Sequence, residues 1–143
     1  MKKSFALIGL GAMMLAACSG NGGNADTAKG TTESATVEND GSEITATLTK
    51  DADGKLTGVN IDEVTEDGES KKDKGDDYGM KKASGIGKEW YEQVEYLENY
   101  ILENGVDAVK LNDEGYPEDE DLKSGCTINL SAMMQAVDEA NAK

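Results

Sequence analysis

Ser42-Glu43-Ile44-Thr45-Ala46-Thr47-Leu48-Thr49 is the stretch that decides the fold. Apolar Ile44, Ala46 and Leu48 alternate with threonines, a period of two that predicts a half-buried strand. Asp51-Ala52-Asp53-Gly54 follows with turn chemistry. Lys55 to Val64 then places Val59 and Ile61 on one face, which predicts a second strand and closes a hairpin. Residues 65–82 are charged and rich in glycine, and read as a long surface loop anchored at its end by Tyr78 and Met80. Beyond it the period changes. Trp90, Val94, Leu97 and Ile101 are spaced four, three and four apart, one apolar stripe of a helix that starts at Ser84 or Gly87. Asn104-Gly105 stops it. Val106–Val109 reads as a short strand or the start of a loop, and residues 112–121 as an acidic, turn-rich segment holding the only proline, Pro117. A last helix is predicted from a Ser131 cap to about Asn141, burying Met133, Ala136, Val137 and Ala140. A hairpin followed by two packed helices makes a small α+β domain.

Working back toward the N-terminus, the chain opens with Lys2 and Lys3, an apolar run from Phe5 to Ala17, and then Leu15-Ala16-Ala17-Cys18. A basic start, a short apolar core and small residues before the cut define a secretory signal peptide over residues 1–17. The cysteine directly after the small residues resembles the lipobox of bacterial lipoproteins. That resemblance implies a lipid-modified Cys18 and a protein anchored on the extracellular face of the cell membrane, of Gram-positive type. Residues 18–38, mostly Gly, Asn, Ser, Thr and Ala, read as a flexible linker, with the folded domain over residues 39–143. Cys126 would have no disulfide partner once Cys18 is lipidated.

Charge and composition exclude several functions. The formal net charge is −15, and loss of the two lysines of the leader takes it to about −17. Such a surface repels nucleic acid. There is no histidine and no arginine, so Ser-His-Asp and Cys-His mechanisms and histidine metal sites are excluded. The acidic run Glu118-Asp119-Glu120-Asp121 lacks the alternating spacing of a calcium loop and reads as a solvated face.

One short segment carries chemistry: Asp121-Leu122-Lys123-Ser124-Gly125-Cys126-Thr127. Gly125 permits a close backbone approach to a phosphate. Thr127 offers a hydroxyl near the expected start of the last helix, where unpaired N–H groups and the macrodipole favour an anion, and Lys123 adds positive charge. The segment resembles the D-x-x-[ST]-G-A-[TS] motif of the FMN-binding domain family, departing from it at Cys126, where the family has Ala. The stretches D-G-K-L-T-G-V-N-I-D-E-V-T-E-D-G from Asp53 and D-D-Y-G-M-K-K-A-S-G-I-G-K-E-W-Y from Asp76 resemble the same family's surface lipoproteins, so the likeness spans nearly the whole domain.

The resemblance implies a curved antiparallel sheet and an FMN whose phosphate a flavin transferase esterifies to Thr127. Ser124, Gly125, Cys126 and Asp121 would lie around that bond, and Asp121 would assist the transferase. Trp90, Tyr91 or Tyr78 would stack on the flavin ring. The protein would then be an electron carrier in extracellular electron transfer, fed by a membrane quinone or NADH reductase, with no substrate pocket of its own. A flavin-free binding or surface-antigen lipoprotein on the same fold is the alternative. In either case a fragment of Phe5–Ala17 is expected to be a source of a peptide pheromone.

Overall fold

The computed structural model describes residues 30–143, and the leader, Cys18 and the first part of the linker lie outside the described residues. Three antiparallel strands, β1 (Thr31–Asn39), β2 (Ser42–Lys50) and β3 (Leu56–Val64), form one sheet in the order β1-β2-β3. Four helices follow: α1 (Lys71–Lys74), α2 (Trp90–Asn104), α3 (Glu120–Gly125) and α4 (Ser131–Asn141). The α+β class is as expected. Helix α4 packs across β1 and β2, α2 lies along β3, and α3 leans on α2.

The second strand is built as its alternation requires. Ile44, Ala46 and Leu48 are buried against the helices, with Ile61 beside them from β3. Trp90, Val94, Leu97 and Ile101 of α2 and Met133, Ala136, Val137 and Ala140 of α4 close the core from the other side. Helix α2 begins at Trp90, later than expected, because Glu89 and Glu92 form a reciprocal capping box there.

Strand β1 corrects the linker boundary. Residues 31–38, expected to be flexible, pair with β2 along their whole length. The strand buries little, only Ala35 fully, and is tied on its outer face by hydroxyl pairs. Ser34 meets Thr47 at 2.8 Å, Thr36 meets Thr45 at 2.8 Å, and Thr32 meets Thr49 at 3.3 Å. The sequence signal is Asp40-Gly41, whose φ values of 48° and 86° make a two-residue hairpin turn with both central residues left-handed.

The segment 65–82 is also more structured than a loop. Asp62 accepts from Ser70 Oγ at 2.6 Å and Ser70 caps α1. A 3₁₀ turn over Gly75–Tyr78 continues from α1. Val106–Ala108 is likewise a 3₁₀ turn rather than a strand. The free edge of β3 is covered by side chains: Glu98 of α2 accepts from the Ile61 N–H at 2.6 Å and pairs with Lys72. An edge treated this way offers no template for another strand.

Candidate functional site

The motif folds as a one-and-a-half-turn helix with a loose end. Asp119 caps α3, its Oδ1 accepting from the N–H groups of Asp121 at 2.9 Å and Leu122 at 3.2 Å. Leu122 and Cys126 point into the core. Burial pushes the Cys126 thiol up to about 11, so it is a small core residue and not a nucleophile at neutral pH. Ser124 is exposed, and its hydroxyl donates to the Asp121 carbonyl at 2.6 Å and meets the Tyr96 hydroxyl at 3.1 Å. The Asp121 side chain faces solvent.

Two expectations about this segment are corrected. Gly125 makes room for a side chain rather than for a phosphate: a Cβ there would lie 2.2 Å from the Tyr96 ring, which covers the glycine. Thr127 follows the C-terminus of α3 and precedes the first turn of α4, and its N–H is already committed to the Gln93 side chain. A helix N-terminus therefore does not hold an anion at Thr127. Lys123 pairs with Glu120 on the exposed face of α3. Asn129, not Ser131, tends the start of α4, accepting from the Ser131 N–H at 3.0 Å.

Thr127 is nevertheless placed with care. The residue is exposed, while Gln93 behind it is fully buried. Gln93 Oε1 accepts from the Thr127 N–H at 2.9 Å, with the Thr127 hydroxyl 3.4 Å away. Gln93 Nε2 donates to the Lys88 carbonyl at 3.2 Å and lies 3.4 Å from Ser84 Oγ and 3.5 Å from Met80 Sδ. One amide thus joins the end of the motif to the segment before α2. The sequence reading passed over Gln93, although its place three residues after Trp90 puts a polar side chain on the buried stripe.

Met80 also lines an open cleft of about 640 Å³ between the β1–β2 turn and the start of α4. Tyr78, Trp90, Lys71, Glu63 and Ile128 share its wall. Trp90 is only 2 % exposed, so its ring belongs to the core and offers a ligand no open stacking face. Tyr78 is half-buried. The Lys71 ammonium sits 5.3 Å from the Tyr78 ring centre and 5.5 Å from that of Trp90. Tyr91 is turned away, its hydroxyl 3.3 Å from Asp76; burial above all, then Asp76, raises its pKa. The structure therefore gathers Tyr78, Met80 and Trp90 in the cleft wall, links Thr127 to Met80 through the Gln93 amide, and leaves Asp121 and Ser124 exposed on α3.

No protein-family model and no curated protein sequence matches this chain. Its fold is similar to the solution NMR structure of a structural-genomics target from Clostridium thermocellum. The two are 23 % identical with a TM-score of 0.52, over 78 % of this chain and 88 % of the other. That likeness shows the α+β fold.

Proposed function

We propose that this chain is an exported lipoprotein that carries FMN, attached through its phosphate to Thr127, as an extracytoplasmic electron carrier. The observation that supports it best is Thr127 itself, exposed to solvent, its N–H held by a buried amide whose other end lies against Met80 in the wall of an open cleft. An acceptor hydroxyl must be reachable by the transferase on a backbone that stays in place, and the exposure of Thr127 and its N–H bond to Gln93 favour that role. A cleft of about 640 Å³ falls within the usual range for a cofactor-sized ligand.

The chain's own residues have separable roles in this reading. Thr127 would hold the group as a phosphoester of its hydroxyl oxygen, the donor being a flavin dinucleotide whose second nucleotide would leave with the broken P–O bond while the hydroxyl proton passed to solvent. Gln93 orients Thr127. Met80 and Ile128 offer soft apolar contacts to a ring at the cleft mouth. When bound, FMN would supply the redox chemistry, and the protein its position and electrical surroundings. In a chain of net charge −15, a covalent link keeps an anionic cofactor from escaping into the medium.

Co-expression with a flavin transferase tests this. The intact mass is expected to rise by one esterified FMN, with yellow colour that survives denaturation, and Thr127→Val is expected to lose both. An unmodified, colourless protein would sink the proposal. It would favour the flavin-free binding lipoprotein, the reading supported by the Tyr96 ring filling the space above Gly125. The lipid anchor is tested separately: incorporation of labelled palmitate into the wild-type chain and none into Cys18→Ser.

A further inference from the structure

The innermost polar group of the cleft is an ion pair that the motif does not explain. Glu63 sits on the core-facing side of β3 and is only 5 % exposed. Its Oε1 accepts from Ser42 Oγ at 2.5 Å and forms an ion pair with Lys71 Nζ at 2.8 Å. A buried pair of this kind gives little net stability compared with apolar residues of the same size, because both charges are desolvated. Its position, lining an open cleft, calls for another reason.

Lys71 is held in one orientation from three sides. Its ammonium is paired with the Glu63 carboxylate, and the ring centres of Tyr78 and Trp90 lie 5.3 and 5.5 Å from the nitrogen. Among the described residues no other oxygen accepts from it. The Lys71 side chain retains 15 % exposure, and it lines the cleft. A cation with donors to spare, in a cleft whose wall holds Met80 and Ile128 beside the carboxylates of Glu38, Asp40 and Glu63, matches an uncharged planar heteroaromatic ring that carries carbonyl oxygens at one edge.

We propose that Lys71 is the ring-binding residue of the cleft, donating to a carbonyl of the flavin's pyrimidine edge, while the phosphate end of the ligand points outward to Thr127. This rests on the flavin reading of the site and adds an orientation to it. Tyr78 and Trp90 then act by holding Lys71 rather than by stacking on the flavin, since the ammonium occupies the space between them. Glu63 and Ser42 position the lysine and do not touch the ligand. The ring, common to riboflavin and FMN, is what Lys71 reads.

The test is a fluorescence titration of the full-length chain, kept in detergent and produced without a flavin transferase, using riboflavin and FMN as probes. Lys71→Met is expected to weaken both by about tenfold or more, the usual worth of a charged hydrogen bond. Lys71→Arg is expected to recover most of the loss. Because Lys71→Met strands a buried carboxylate, the double variant Lys71→Met with Glu63→Gln serves as the folded control and is expected to bind as weakly as the single one. Unchanged riboflavin binding in these variants would overturn the proposal. So would a loss confined to FMN, which would place Lys71 at the phosphate. A wild-type chain that binds neither probe also overturns it; if covalent loading on Thr127 still occurs, the flavin reading survives alone, and if loading fails too, both fall.

Discussion

The layer between the sheet and α2 and the polar ground around Thr127 are held together in opposite ways. Ile61, Val94, Leu97 and Ile101 are fully buried and touch only apolar neighbours over most of their surface. Gln93 is buried just as deeply on the same helix, yet both ends of its amide carry hydrogen bonds. The first region resists unfolding through area removed from water. The second contributes little net stability but ties the Thr127 backbone to the segment that carries Met80. The difference teaches that the buried face of α2 carries one polar side chain, Gln93, whose bonds reach beyond the helix to Thr127.

Substitutions in the two regions should therefore separate stability from loading. Leu97→Ala, at a fully buried position, is expected to cost about 2–5 kcal/mol in denaturant unfolding, with flavin attachment kept in the fraction that remains folded. The buried Cys126 gives the next largest effect, but only in alkali. Its folded pKa of about 11 lies above its ordinary 9.0, so the native state holds the proton longer than the unfolded chain does. Stability is then full below pH 9 and falls by roughly 2–3 kcal/mol as pH rises from 9 to 11. Cys126→Ala is expected to flatten that part of the pH profile. If wild type and variant lose stability in parallel there, the thiol is not the group responsible.

Gln93→Leu should sit between the two regions. It leaves the Thr127 N–H and the Lys88 carbonyl without their partner, at about 1–3 kcal/mol. Flavin attachment is expected to fall far more than stability does; a loss of stability with normal attachment would make Gln93 an ordinary core residue. Asp119→Ala has the smallest expected effect. Removing the cap of α3 costs about 1 kcal/mol, visible as a lowered Tm, and lowers attachment only slightly because Thr127 is held from α2.

The apolar layer was legible because burial leaves a periodic trace. Ile44, Ala46 and Leu48 repeat every second residue, and Trp90, Val94, Leu97 and Ile101 follow the helical repeat, so each element could be read from its own residues. Strand β1 was not legible by that route. Its threonines bond to β2 side chains, which leaves a composition that resembles a linker, and only the Asp40-Gly41 turn betrays it. The short helix α1 depends on Ser70 and Asp62, contacts that no periodicity records. At the candidate site Thr127 stood out by its motif, whereas Gln93 and Lys71 matter through partners far along the chain. The roles given to Gly125 and the helix N-terminus failed for the same reason: Tyr96 and Gln93 had already taken those places.

The most direct test of the central claim is in-gel flavin fluorescence of the full-length chain co-expressed with a flavin transferase, compared across wild type, Ser124→Ala and Thr127→Val. The account predicts a fluorescent band for wild type and for Ser124→Ala, and none for Thr127→Val. A band that persists in Thr127→Val, or one absent from wild type, would contradict it.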